Sequence, residues 1–138
     1  MVNPEIINER LREIEENITL LKEIDSVSLS KFCMDPKILK LAERCLQVSM
    51  QCILDICHHI IVENNWRRPR DNKEAIIILS QKDIIPSTFA KHIVPMAGLR
   101  NLLVHEYIKI DPKLIYKHLQ DIKDFRKFQR YILKYIKQ

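Results

Sequence analysis

The chain has 138 residues, 46% hydrophobic and 30% charged, which suffices for one packed core beneath a well-solvated surface. It contains no run of about 18 apolar residues, so no membrane span is expected. Its N-terminus, Met1-Val2-Asn3-Pro4-Glu5, enters a charged amphipathic pattern that is neither a signal nor a transit peptide, which points to the cytoplasm.

The net charge of +5 is uneven: residues 109–138 carry nine Lys/Arg against three Asp, a net of +6, leaving the rest near −1. A basic C-terminal helix of this kind either attracts a polyanion or is a solvated face rich in lysine.

The first helix is expected over residues 4–27. Asn3 is its cap, Pro4 its first-turn residue, and Ile7, Leu11, Ile14, Ile18 and Leu21 its apolar stripe. A polar break follows at residues 26–30. Asp35-Pro36 then opens a second helix that runs unbroken to about Asn64, roughly 40 Å at the usual rise. One of its faces is apolar: Leu39, Ala42, Cys45, Cys52, Ile56 and Ile60. Another carries Arg44, Gln47, Gln51, Asp55 and His58 at helical spacing. That polar stripe is either a solvent edge or the wall of a cleft or subunit contact. Solvated faces usually hold more Lys and Glu, which favours the wall.

Residues 64–70 form a turn-rich break in which Trp66 lies among Arg67, Arg68 and Arg70. The tryptophan either plugs the core edge or stacks on a base; the plug is the commoner use. Asp71 caps a short third helix through Leu79. A fourth starts near Pro86-Ser87 and carries Phe89, Ile93, Met96, Leu99 and Leu103, with Pro95 expected to kink it. Asp111-Pro112 opens the last, which buries Ile115, Leu119, Ile122, Phe125, Ile132 and Ile136. About five helices with short connections predict an all-α, up-down bundle forming a single domain over residues 1–138.

The four cysteines, Cys33, Cys45, Cys52 and Cys57, include no C-x-x-C pair. Reduced thiols packed in a core fit better than a zinc site with His58 or His59, because the spacing matches no familiar ligand pattern.

Chemistry concentrates in Arg100-Asn101-Leu102-Leu103-Val104-His105-Glu106-Tyr107, just after Gly98, the only glycine. Arginine grips phosphate with a planar fork. Histidine moves protons near neutral pH. On a continuous helix Arg100 and Tyr107 share a face, whereas Arg100 and His105 stand about 140° apart. Either the helix ends between them, or two copies converge across a C2 contact.

RNA supplies its own nucleophile, the 2′-OH. A neutral His105 could take that proton and Arg100 could stabilise the phosphorane, with no metal and no cofactor required. Tyr107 would position substrate or be a target of modification. The plainer alternative makes His105 a helix-terminal cap, and Asn101 and Tyr107 ordinary hydrogen-bonding groups.

Arg100-Asn101-x-x-x-His105-x-Tyr107 resembles the HEPN superfamily, marked by Arg-x4-6-His, and within it the HepT branch with its Arg-x4-His-x-Tyr. Glu9-Arg10-Leu11, Glu43-Arg44-Cys45-Leu46-Gln47, residues 54–60, Met96-Ala97-Gly98-Leu99 and Ile110-Asp111 extend the likeness over essentially the whole chain. The loop at residues 67–73 is more basic than the family pattern, and His58-His59 and the cysteines are local variation outside the motif.

The resemblance implies the toxin of a type VII toxin–antitoxin pair: a metal-independent ribonuclease that dimerises, with its site in a cleft between protomers. Arg100 and His105 match the catalytic positions, and Asn101, Arg44, Gln51 and Asp55 are the expected supporting groups of the cleft. Tyr107 matches the tyrosine to which an MNT-type nucleotidyltransferase antitoxin transfers AMP from ATP, blocking RNA. The competing class is a non-catalytic helical module that pairs with a nucleotidyltransferase or binds nucleotide and cuts nothing.

Overall fold

Three helices start at an Asn-Pro or Asp-Pro pair that supplies a cap. Asn3 Oδ1 accepts the Glu5 N–H at 3.0 Å and Pro4 follows, opening α1 (Pro4–Asp25). Asp35 and Pro36 do the same for α3 (Pro36–Glu63), as do Asp111 and Pro112 for α6 (Pro112–His118). The computed structural model describes residues 3–105 and 109–138. Within them the remaining helices are α2 (Leu29–Met34), α4 (Asn72–Gln81), α5 (Ser87–Val104) and α7 (Ile122–Ile136), and no strand occurs.

All five expected helices are present, with two refinements. The polar stretch after α1 holds the short helix α2, because Ser28 Oγ accepts the Lys31 N–H and Phe32 is fully buried. Phe32 meets Tyr116 of α6 edge-on, with ring centroids 5.1 Å apart, and the Tyr116 hydroxyl donates to the Val27 carbonyl at 2.8 Å. The last helix is divided by a 3-10 turn at Leu119–Asp121, where Asp121 accepts from His118 at 2.6 Å. This tighter turn re-aims α7 so that Phe125, Phe128 and Ile132 enter the core. In α5 the helix runs on through Pro95 without interruption.

A chain with one glycine must end its helices by other means. Asn65 (φ 54°) and Asp83 (φ 59°) take the left-handed position after α3 and α4. The next amides, Trp66 and Ile84, then reach back to the carbonyls of Ile61 and Leu79 at 3.1 and 3.0 Å. This is the Schellman ending, built on the two non-glycine types that best tolerate it. Trp66 packs half-buried against the core, with Lys82 Nζ 5.1 Å from its ring centroid. It therefore plugs the core edge, and one of its faces is covered.

α3 is the central element and packs against all six other helices. It is long and apolar enough to cross a membrane, but 61% of its most apolar stretch is buried inside the protein, as in a core helix. Cys45, Cys52 and Cys57 lie in its buried face and Cys33 is exposed, all as free thiols. Burial, with the nearby Glu13 carboxylate adding to it, pushes the Cys52 thiol up to about 12; burial also raises Cys45 and Cys57. Near neutral pH the three buried sulfurs therefore hold almost no thiolate, the reactive form. In the native protein one thiol, Cys33, is expected to react with a maleimide within minutes. Mass spectrometry should find the other three labelled only after unfolding; rapid native labelling of all four would contradict this packing.

At the start of α4, Glu74 accepts from the Arg70 backbone N–H at 2.9 Å, from Arg70 Nε at 3.0 Å and from Arg67 at 2.8 Å. These bonds, the backbone one foremost, hold its carboxyl below the ordinary glutamate value. A depressed carboxyl stabilises the fold above its unfolded pKa, about 4.3, and loses that contribution as pH falls through the folded value. Glu74→Gln is expected to lower the thermal midpoint by a few degrees at pH 7. The gap should close below about pH 4, and a gap independent of pH would refute the assignment.

Candidate functional site

The polar stripe of α3 is where the structure gathers the sequence-predicted residues. α5 runs antiparallel beside α3, bringing Arg100 opposite Gln51 and His105 opposite the start of the stripe. Arg100 Nε donates to Gln51 Oε1 at 2.8 Å, and Arg100 Nη1 to Asn101 Oδ1 at 2.9 Å. Gln51 Nε2 donates in turn to Asp55 Oδ1 at 2.7 Å, and the other Asp55 oxygen meets Arg10 Nε of α1 at 3.3 Å. A single half-buried chain of side chains thus links α1, α3 and α5. Two amide oxygens, those of Gln51 and Asn101, orient the Arg100 guanidinium, and among the described residues no carboxylate meets it directly. The next stripe residue, His58, shares a hydrogen bond of 3.0 Å with Asn72 of α4.

α5 ends at Val104, and His105 is its cap, at φ −88° and ψ 86°. The His105 N–H turns back to the Leu102 carbonyl at 3.2 Å. Of the two sequence alternatives the structure shows a helix end at the motif, but the break comes at His105 rather than between it and Arg100. His105 is exposed and lines a pocket of about 260 Å³ with Lys40, Glu43, Arg44, Gln47, Leu102, Leu103 and Ile110. Arg44 and Gln47 are the first two members of the stripe; Gln51, one turn further on, holds Arg100.

His105, Arg44 and Gln47 are therefore brought together, as are Arg100, Asn101, Gln51 and Asp55. Arg100 is not among the residues lining the His105 pocket. α5 ends at Val104, and the expectation that Arg100 and Tyr107 share a face falls on Tyr107, which lies outside the described residues.

Two features escaped the sequence reading. Arg10 enters the site from α1, because its partner Asp55 is forty-five positions away and no local pattern couples them. Lys40 joins the pocket one turn before Arg44, a cation among many in a chain with 23 Lys/Arg. Among the described residues no three His, Cys, Asp or Glu converge as a metal site. A Cβ added to Gly98, close before Arg100, would meet nothing within 4 Å, so packing inside the chain does not demand glycine there.

In chemical terms the site offers a fixed guanidinium, an exposed imidazole, and two further cations, Lys40 and Arg44, beside that imidazole. Such a surface can hold phosphate and move a proton next to it. Leu102, which lines the His105 pocket, and Val104, next to His105 in the chain, are each 41% exposed.

Comparison with known proteins places this geometry in context. The family model for HepT-like ribonucleases matches residues 14–132. A tRNA nuclease HepT of Aphanizomenon flos-aquae is 36% identical over 115 residues, covering 83% of this chain and 78% of the relative. An mRNA nuclease HepT of Shewanella oneidensis is 27% identical over 84 residues, 58% of this chain and 63% of that protein. Among solved structures, a tri-AMPylated Shewanella oneidensis HEPN toxin in complex with MNT antitoxin superposes with a TM-score of 0.84. Its identity is 23%, and the match covers 94% of this chain and 97% of that one.

Proposed function

The chain belongs to the HepT-like ribonuclease family, and from that premise we propose that it is an RNA endonuclease acting as the toxin of a toxin–antitoxin pair. Arg100 and His105 carry the cleavage, and AMP transferred to Tyr107 by an MNT-type nucleotidyltransferase antitoxin silences it. The observation that carries the reading is the α3 polar stripe. Gln51 holds Arg100 at 2.8 Å, while Arg44 and Gln47, one to two turns away, line the pocket of His105.

In this mechanism the RNA 2′-OH attacks the adjacent phosphorus and neutral His105 accepts its proton. Arg100 stabilises the negative charge that builds on the non-bridging oxygens of the phosphorane. The bond from phosphorus to the 5′-oxygen breaks, and that oxygen takes up a proton. The products are a 2′,3′-cyclic phosphate and a 5′-hydroxyl. Gln51 and Asp55 orient Arg100, Asn101 fixes one of its terminal nitrogens, and Arg44 holds a neighbouring phosphate.

The whole chain acts as one domain and works in the cytoplasm as a C2 homodimer whose facing clefts complete the site. Exposed Leu102 and Val104, and a Gly98 that leaves room for another surface to approach, support that arrangement. The tRNA and mRNA activities of the two relatives make both RNA classes substrates to test.

The deciding experiment is incubation of purified protein with tRNA and with mRNA in EDTA, followed by mapping of the cut ends. Cleavage leaving 2′,3′-cyclic phosphates is expected. Intact RNA of both classes, or ends bearing a 5′-phosphate, would refute the mechanism.

A further inference from the structure

Beyond the cleavage centre, the strongest unassigned feature is the outer face of α7. Lys123, Lys127, Arg130, Lys134 and Lys137 recur at intervals of four and three, so one stripe carries five cations over about 21 Å of helix. All five are exposed, and their side chains have no hydrogen bond or ion pair with the described residues. The opposite face buries Phe125, Phe128 and Ile132 and so fixes the stripe outward.

The charge on this face is uncompensated for a structural reason. Each aspartate of the segment is engaged elsewhere. Asp111 caps α6, Asp121 is bound to His118 at 2.6 Å, and Asp124 is buried against His92 at 3.0 Å. Arg126, to one side, is paired with Glu15 of α1 at 3.1 Å. There a groove of about 440 Å³ between α1 and α7 adds Arg12 to Arg126 and Arg130.

We propose that the α7 stripe, Lys123 to Lys137, is a docking surface for the sugar–phosphate backbone of the RNA substrate, separate from the residues that cleave it. This rests on the ribonuclease reading above and adds where the substrate is held. Cations one helical turn apart, in a line and without interspersed acids, match a polymer of regularly spaced phosphates. A protein partner would require an apolar centre to the contact, and this face offers only Leu133, 40% exposed at its border. The contact reads no sequence, so it raises affinity for any long RNA and leaves the chemistry to the α3–α5 site.

The test uses full-length protein in the His105→Ala background, which measures binding without cleavage. Binding of a full-length tRNA transcript is followed across a salt titration, with and without Lys123→Gln, Lys127→Gln, Arg130→Gln and Lys134→Gln together. Each lost phosphate contact flattens the slope of log K against log salt by about 0.7 to 0.9, so the four should reduce it by about 3. Affinity near 0.15 M salt should fall about 100-fold. In the otherwise native protein the same four changes should leave cleavage of a short oligonucleotide at its original rate. Replacing the stripe lysines by arginine should preserve tRNA binding.

An unchanged salt slope in the folded four-fold variant overturns the proposal. So does loss of binding in the arginine variant, or loss of antitoxin binding while tRNA binding persists. Failure of the cleavage assignment would appear separately, as His105→Ala protein that still cuts.

Discussion

Arg100→Ala is expected to lower the RNA cleavage rate by about 100- to 1,000-fold, the usual cost of removing one donor that stabilises transition-state charge. His105→Ala should cost about 100- to 10,000-fold, the range for a general base. Neither change should unfold the protein. His105 is exposed at the end of α5, and Arg100 is half-buried with amide partners that can turn to water. The measurement is the initial rate of cyclic-phosphate formation, beside a circular dichroism spectrum of each variant. Arg100→Lys should retain part of the activity, because a point charge remains but the planar fork is lost.

Mixing the two alanine variants tests the dimer in the same assay. If each site draws Arg100 from one protomer and His105 from the other, half of the re-equilibrated dimers hold one intact site. Activity should then recover to about a quarter of the original. No recovery would place both groups of a site in one chain. Full activity in both single variants would remove these residues from the mechanism.

Tyr107→Phe carries an all-or-none expectation. In AMP transfer the phenol oxygen attacks the α-phosphorus of ATP and pyrophosphate leaves, so phenylalanine offers no acceptor. Co-expressed with an MNT-type antitoxin, the native toxin should gain the mass of at least one AMP and lose RNA cleavage. The Phe variant should gain none and stay active. The physical basis is charge: an AMP phosphodiester two residues from His105 adds an anion and a bulky base where Arg100, Arg44 and Lys40 would receive the RNA backbone. An unmodified native toxin, or inhibition persisting in Tyr107→Phe, would show that silencing runs through another group or through binding alone.

The helix pattern was legible because Asp-Pro and Asn-Pro pairs mark starts and the apolar spacing marks faces. The break before α2 was not, since Leu29 to Met34 are too few to show a period and are held by the long-range Phe32–Tyr116 contact. The polar stripe on α3 was visible in the sequence by its helical spacing and its low Lys and Glu content. In the structure Gln47, Gln51, Asp55 and His58 are half-buried and Arg44 is exposed, with Arg44 and Gln47 lining the His105 pocket. Sequence spacing could not say that α5 would lay Arg100 against Gln51 and His105 against Arg44, because helix packing register is set by contacts about fifty positions apart. The end of α5 at Val104 was not legible either, because nothing in Val104-His105 marks a stop as glycine or proline would.

The position of α3 has a consequence for how this molecule can fail. Every other helix lies on it, and the stripe that holds Arg100 and borders His105 is the polar side of the same rod whose apolar side is the core. Among the described residues Gln51 and Asp55, which hold Arg100, stand on this rod, so the order of that guanidinium is tied to the order of the core. Unfolding of the rod therefore releases Arg100 from its partners, and a copy that comes apart is expected to lose cleavage with its fold. A cell that fails to modify the toxin is thus left with a nuclease as durable as its own hydrophobic interior.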